Sequence, residues 1–424
     1  MGERYTVNSD YFVAATGQLS QPKFPVIPNL EHFGGKLMHS ARWDWNYDIR
    51  GARVGIIGTG ATAAQIIPEV AQACSSLTVF QRSPAWVVPR HDQPISQARR
   101  ILYKFIPLVR QQYRASLMDE RESKFEPSFY PKSAKQEFVK TLCQRHMLNQ
   151  IPGEANASLR QALTPNYPFS CKRIIVSDDL YPTLLRQNVQ LETRPIDSIT
   201  PKGVRMADGT QHDLDVLICA TGFHSTDFLS DIRVYGAHGA SLNSTWSKAG
   251  ASAYLGMTVP TLPNFGILYG PNTNLAYNSL IIQIEAQSLY LTRLISAVLS
   301  AKCKGQTLRV EPKTDVTEKY NRSLQGKLSG STFADPRCSS WFKDEKGRIT
   351  NNWAGSAVDY QQRVQYLDWN DYEVLGTAAE DVLRQGMVKW RRRKEEGAWT
   401  GFEITLLSLA LILLGGSGLW LQLH

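Results

Sequence analysis

An α/β chain organised around a doubly wound, mostly parallel sheet is what three features of this sequence predict. The run from Ala52 to Gly58, ARVGIIG, is apolar, β-branched and bounded by glycine, the pattern of a buried strand. It leads directly into Gly58-Thr59-Gly60-Ala61-Thr62-Ala63 and a helically spaced stretch that ends near Cys74. The following SSLTVFQRSP reads as a second strand ending in a polar loop, which completes a βαβ unit.

Each part of this unit has a physical reason. Gly58 permits the tight turn, Gly60 lets the backbone approach a pyrophosphate, and Ala63 is small enough for close helix packing. The helix N-terminus turns its unpaired N–H groups toward an anion. Gly58, Thr59, Gly60, Ala61, Thr62, Ala63, Ala64 and Gln65 are therefore the candidate dinucleotide-binding residues. The second strand ends at Gln81-Arg82-Ser83. An acidic residue there would select the ribose hydroxyl of NAD, whereas Arg82 offers a cation to a 2′-phosphate and so points to NADPH. Taken alone, Arg82 also fits a solvated loop arginine.

Other elements follow in order. Tyr5 and Val7 alternate with polar residues ahead of an apolar strand at Tyr11–Ala15, so the chain is expected to open in a β-hairpin. Charged stretches with helical spacing between about 93 and 160 predict a helical insertion lying over the site. Asp208-Gly209 supplies a hairpin turn, and Val216–Ala220 is a buried strand. Beyond Thr226 come a strand and loop in PNFGILYGPNTN and a long helix from Ser279. Val310 to about Arg384 reads as irregular and rich in Trp and Tyr. Ile404–Leu421 carries no charge, follows the basic run Lys389–Lys394, and reads as a transmembrane tail helix that would leave the body on the cytosolic face. A buried terminal helix is the alternative.

Composition narrows the function. A chain of 424 residues can bury more than one core. Its net charge of +9 is spread along the sequence, which argues against nucleic acid as the main partner. Six cysteines without a C-x-x-C pair predict free thiols in a reducing compartment. Eight histidines show no ligand spacing, so no metal site is expected.

Just ahead of the βαβ unit stands Phe33-x-Gly35-x-x-x-His39-x-x-x-Trp43-Asp44. This resembles, position for position, the signature of the Baeyer–Villiger monooxygenases, whose Trp-Asp ending separates them from sister flavin monooxygenases acting on sulfur or nitrogen. The resemblance extends to about residue 385. It implies FAD and NADPH as cofactors, with a ketone and dioxygen as substrates and an ester or lactone as product. It also implies an NADPH domain inserted into an FAD-binding domain, entered and left through hinge strands at Ala15-Thr16-Gly17 and Ala220-Thr221-Gly222-Phe223. The ranges expected are 1–48 for the first FAD segment and signature linker, 49–225 for the NADPH domain, 226–400 for the second FAD segment and substrate region, and 402–422 for the tail.

Residue roles follow from the same resemblance. Lys172 would join Arg82 and Ser83 at the 2′-phosphate, and Asn272, in Gly270-Pro271-Asn272-Thr273, would contact a cofactor. Arg173 would sit over the flavin as the catalytic cation, because a guanidinium keeps its charge at working pH. Without the resemblance, Arg173 would read as a structural ion pair. His39 and Trp43 would couple domain movement to the cofactors, and Cys338-x-x-Trp341 resembles a loop near the nicotinamide. The sequence departs from the family in lacking the first G-x-G-x-x-G and the G-G-T-W stretch of the FAD lobe, which implies that it starts late in that lobe. Tyr277 stands where histidine is common, and Trp353-Ala354-Gly355 where Trp-Pro-Gly is. The rival readings are an NADPH-binding remnant without flavin and a flavin monooxygenase acting on sulfur or nitrogen.

Overall fold

A computed structural model describes residues 5–389. Strand β1 (Phe12–Ala14) precedes β2 (Lys36–His39), β3 (Arg53–Ile57), helix α1 (Ala61–Ala73) and β4 (Ser76–Phe80). The short β5 (Val87–Val88) leads into the insertion, formed by α2 (Gln97–Phe105), α3 (Pro107–Glu122), α4 (Phe125–Phe129), α5 (Ala134–Gln150) and α6 (Ala157–Ala162). The chain returns through β6 (Ile175–Val176), α7 (Leu180–Leu184) and β7 (Val189–Glu192). A small antiparallel sheet of β8 (Ile196–Thr200), β9 (Gly203–Met206) and β10 (Gln211–Asp213) then precedes β11 (Val216–Cys219).

The central sheet has the order β2-β11-β3-β4-β7, with every neighbouring pair parallel. Both of its faces are covered, which is why β3 and β11 are almost continuously apolar. On one face, Ala63, Ala64, Ile67, Val70 and Ala71 of α1 pack with Val54, Ile56, Val216 and Ile218. Their spacing follows the helical repeat, and each large side chain buried here contributes about 1.5–3 kcal/mol. On the other face, Phe33, Ile57, Phe80 and Leu217 pack with Val204 and Met206 of the small sheet.

The second half of the chain forms its own core. Helices α8 (Leu242–Ala249) and α9 (Leu280–Cys303) flank β12 (Phe265–Ile267), which pairs in parallel with β1. Beyond them lie β13 (Arg309–Pro312), α10 (Thr314–Ser329), α11 (Ala357–Val364), β14 (Tyr366–Asp368) and β15 (Tyr372–Leu375). Tyr254, Tyr290, Tyr360 and Tyr372 are fully buried at the centre of this half. Gln136 of α5 ties the insertion to it, donating to the carbonyls of Pro127 and Phe169 and to Thr332 Oγ1.

Three expectations are corrected. The opening is not a hairpin: residues 5–10 form no strand, and β1 is used instead to pair with β12, 253 residues downstream by register. Residues 310–384 are irregular only between 335 and 356; the regular elements β13, α10, α11, β14 and β15 flank that stretch, and Tyr360 and Tyr372 within them fill the core. The cysteines are not all free, since Cys171 and Cys338 are bonded to each other. No helix among the described residues is long and apolar enough to cross a membrane, and Ile404–Leu421 lies outside those residues.

Candidate functional site

The Gly58 turn sits at the carboxyl end of β3, beside the end of β11. The chain leaves β3 for β4 on one side while β11 lies on the other, and this reversal is where parallel sheets open a crevice. Gly58 has φ +112°, and a Cβ there would lie 2.7 Å from the Ala220 carbonyl oxygen. Gly60 differs: a Cβ there would meet nothing within 4 Å, so the space above it is open. No side chain caps the N-terminus of α1, and its first turn has no acidic residue. The result is an uncapped, unopposed set of N–H groups facing an open crevice, which favours a phosphate anion.

The cationic partners gather next to this turn. Thr59 Oγ1 donates to the Ser83 carbonyl at 3.2 Å, and Lys172 Nζ donates to Ser83 Oγ at 2.8 Å. Lys172 also lies 4.7 Å from the Tyr167 ring centroid. Its pKa is held below the usual lysine range by burial and by the nearby Arg82 charge. Two cations this close repel each other, so an incoming anion would relieve the repulsion. Ala63 and Ala64 are buried against the sheet, while Ala61 is half-buried and Thr62 is exposed. Gln65 is exposed and donates back to the Ala61 carbonyl at 2.8 Å.

Arg173 is exposed and faces a different set of groups. Burial pushes the Tyr269 phenol up to about 12, and the Gln18 hydrogen bond and the Arg173 charge pull it back down. Gln18 Nε2 donates to the Tyr269 hydroxyl at 2.7 Å, which in turn donates to Asn274 Oδ1 at 3.0 Å. Asn274 Nδ2 continues the chain to Asn352 Oδ1 at 2.6 Å. Gln18 Oε1 and Asn352 Nδ2 are buried with no partner among the described residues. Unpartnered buried atoms of this kind mark a place built to meet a polar ligand or water. Gln18, Tyr269 and Arg173 come from three separate segments, and sequence reading named only Arg173. The available signal was position: Gln18 follows Ala15-Thr16-Gly17 and Tyr269 precedes Gly270.

Asn272 adjoins the second group through Asn352. Its Nδ2 donates to the carbonyls of Ile349 and Asn352, and its N–H donates to the Thr350 carbonyl, which clamps two loops together. Only its buried Oδ1 is left without a partner.

Of the signature residues, His39 lies where the segment around Lys23 meets the segment around Gly222. Lys23 N donates to the Gly222 carbonyl and Thr221 Oγ1 to the Lys23 carbonyl, so the two segments run side by side. The His39 ring is 1% exposed and lies between Phe24 and Phe223, with centroids at 5.2 and 6.1 Å. Burial lowers its pKa against the opposing pull of the Gly222 and Lys23 carbonyls, so the imidazole is neutral at pH 7. Gly35 is required where β2 enters the sheet, because a Cβ would lie 2.4 Å from the Asp215 carbonyl oxygen. Phe33 is buried under that approach, Trp43 packs on the main core, and Asp44 pairs with Lys36.

Among the described residues no group of His, Cys, Asp and Glu could hold a metal ion.

The family described as flavin-binding monooxygenase-like matches residues 4–236. The FAD-binding monooxygenase ktnD of Aspergillus niger is 43% identical over 418 residues, covering 99% of this chain and 68% of its own length. A Baeyer-Villiger monooxygenase of Streptomyces coelicolor is 37% identical, covering 89% of this chain and 72% of its own length. The crystal structure of OTEMO with FAD and NADP superposes with a TM-score of 0.73 at 26% identity, over 86% of this chain and 75% of that one.

Proposed function

Because this chain belongs to the flavin-binding monooxygenase-like family, and within it is an FAD- and NADPH-dependent monooxygenase of Baeyer–Villiger type, we propose the following division of labour. The Gly58–Gln65 turn holds the NADPH pyrophosphate, while Arg82, Ser83 and Lys172 hold the 2′-phosphate. The open space at Gly60 and the uncapped helix support this fit. Lys172 and Arg82 lose their mutual repulsion when the phosphate arrives, which favours NADPH over NADH.

The flavin would face the Gln18–Tyr269–Arg173 cluster, where Gln18 Oε1 and Asn352 Nδ2 stand without partners. Bound FAD supplies the redox chemistry, with hydride coming in from NADPH and one atom of dioxygen going out to a ketone. The protein's own contribution is placement and charge. Arg173 holds a permanent cation where negative charge develops on the transferred oxygen, and Tyr269, kept protonated at neutral pH, fixes the amide of Gln18 beside it. His39 is neutral and enclosed, so it joins the segments around Lys23 and Gly222 and moves no proton. The aromatic second half would suit a bulky apolar ketone. The expected domain ranges belong to the same reading, as does attachment to a cytosolic membrane face through Ile404–Leu421, supported by that uncharged run and the basic residues before it.

The observation that carries the proposal is the convergence of Arg82, Ser83 and Lys172 on the Gly58 turn, with Arg173 turned to the Tyr269 side. The purified chain should therefore show a flavin absorption spectrum and oxidise NADPH in the presence of ketones, with ester or lactone as product. A colourless protein that still binds NADPH would limit the reading to its nucleotide half. Recovery of the chain in the soluble fraction without alkaline extraction would remove the membrane attachment.

A further inference from the structure

We propose that Cys171 and Cys338 form a redox latch that fastens the loop carrying Trp341 onto the segment carrying Lys172 and Arg173. The latch rests on the nucleotide and active-site reading above for its consequence, but not for its chemistry. The two residues are 167 positions apart, their Cα atoms are 5.7 Å apart and their sulfurs are bonded. That Cα separation lies in the middle of the range a disulfide spans. Cys171 immediately precedes Lys172 and Arg173, and Cys338 lies three residues before Trp341.

The location gives the bond its meaning. Cys338 packs into a cluster otherwise drawn from the nucleotide-binding half: Trp86, Cys143, Tyr167, Phe169 and Cys171. Phe342 anchors the far end of residues 335–343 in its own core, where its carbonyl accepts from the Thr350 and Asn351 N–H groups, so the bond acts on the stretch ahead of it. Arg337 donates to the Asn166 carbonyl at 3.2 Å, while Ser225 Oγ and Asn351 Nδ2 donate to the Trp341 carbonyl at 2.9 and 2.6 Å. Hydrogen bonds of this kind open and close, whereas a covalent link closing so long a loop removes most of that freedom. Both cysteines are buried when the loop is down, at 0% and 3% exposure. An oxidant must therefore reach them while the loop is raised, and oxidation then traps the lowered state.

The other thiols do not compete. Burial pushes Cys143 and Cys219 up to about 12, which leaves them protonated and unreactive, and Cys74 is shifted the same way. Cys303 is exposed on the far helix α9 and has no bonded partner. The oxidant is hydrogen peroxide, the two-electron product of dioxygen. One cysteine thiolate attacks a peroxide oxygen, the O–O bond breaks, and hydroxide leaves as water on taking a proton. The second thiolate attacks the resulting S–OH sulfur, the S–S bond forms, and the S–O bond breaks to release a second water. A dithiol reductant reverses the change by supplying two electrons and two protons.

The test uses the full chain reduced, then treated with hydrogen peroxide, then reduced again. Thiols are counted by alkylation in denaturant and peptides are identified by mass spectrometry. The expected result is a fall from six labelled cysteines to four, one peptide pair joining Cys171 to Cys338, and full recovery on reduction. Hydrogen exchange over 335–343 should slow by about tenfold or more in the oxidised form. Neither change should occur in Cys338→Ser, and the wild-type cycle stands without that variant if it folds poorly. Six labelled thiols after peroxide would overturn the latch, and so would a cross-link that leaves exchange over 335–343 unchanged. NADPH fluorescence in the same samples separates this failure from the other. No NADPH binding in either redox form would sink the nucleotide reading alone.

Discussion

The Gly58 turn and the Tyr269 cluster lie on either side of the Lys172-Arg173 pair and are built in opposite ways. The turn is local. Its strand, glycines, helix and Arg82-Ser83 loop occupy one unbroken stretch, and only Lys172 arrives from elsewhere. The cluster has no local origin. Gln18, Tyr269, Asn274 and Asn352 lie up to 334 positions apart, counting from 18 to 352, and meet only because β1 pairs with β12 and the loops around Asn272 interlock. A local site depends on backbone shape, whereas a convergent one depends on the relative placement of whole segments. The two should fail differently when perturbed.

The largest expected effect separates them through one residue. Arg173→Ala should lower the oxygenation rate by about 10²–10³-fold, the usual cost of removing a preorganised charge from a developing anion. NADPH affinity should change little, because Lys172 and Arg82 carry that contact. Steady-state product formation set against NADPH titration checks it. Equal losses in both would show that the two regions are one site.

Within the turn itself, the two glycines offer a finer test. Gly58→Ala places a Cβ against the Ala220 carbonyl at a positive φ, so it should cost about 1–3 kcal/mol of stability in denaturant melts. Gly60→Ala meets open space and should leave the melt unchanged, yet weaken NADPH by about tenfold or more, because the methyl stands where phosphate approaches. If Gly60→Ala binds NADPH normally, the crevice is not the pyrophosphate site. Arg82→Ala should act on cofactor choice alone, reducing preference for NADPH over NADH by about tenfold, roughly the contribution of one charge-assisted contact.

The same contrast explains what could be read in advance. The βαβ unit, the helical insertion, the D-G hairpin and the long α9 helix were legible because each is written in contiguous periodicity and turn residues. Arg82 was named from its place at the end of the second strand and Lys172 from the family resemblance, and Lys172 lies against Ser83, beside Arg82. Gln18 and Tyr269 were missed because neither has a local pattern. Their pairing depends on a contact spanning 251 positions. Cys171 and Cys338 were read as free thiols for the same reason, since spacing along a chain carries no information about a Cα distance of 5.7 Å. Asn272 was named from its motif, and the loop clamp its Nδ2 makes with Ile349 and Asn352 had no local signal, while its Oδ1 stays without a partner among the described residues. The aromatic stretch after Val310 looked irregular because short elements there are specified by burial against each other and not by their own period.

The smallest effect tests whether the nucleotide half holds together by its own local contacts. Glu192 ends β7 at the edge of the sheet, with its side chain 4% exposed. It accepts from the Arg194 backbone N–H and Nε, each at 2.9 Å, and pairs with the Arg194 guanidinium, while His212 Nε2 lies 3.1 Å away. These contacts, Arg194 foremost, hold its carboxyl at about 2, below its ordinary 4.5. A carboxylate depressed on folding contributes stability that is complete above its unfolded pKa and lost as pH falls through the folded one. The loss should therefore run from about pH 4.5 down to about 2. The shift alone would suggest about 3 kcal/mol, but Arg194 is 42% exposed and solvent screens the pair, so about 1 kcal/mol is expected. Glu192→Gln should be less stable than wild type at pH 7 by that amount and should lack the slope between pH 4.5 and 2 in urea melts. The two proteins should converge at the acid end. NADPH binding at pH 7 should be equal in both, because Glu192 meets Gln81, the residue before Arg82, through its main-chain carbonyl, which the substitution keeps. A matching loss of NADPH affinity would mean that the turn depends on the sheet edge as the Tyr269 cluster depends on its distant loops, and the distinction between a local and a convergent site would no longer hold.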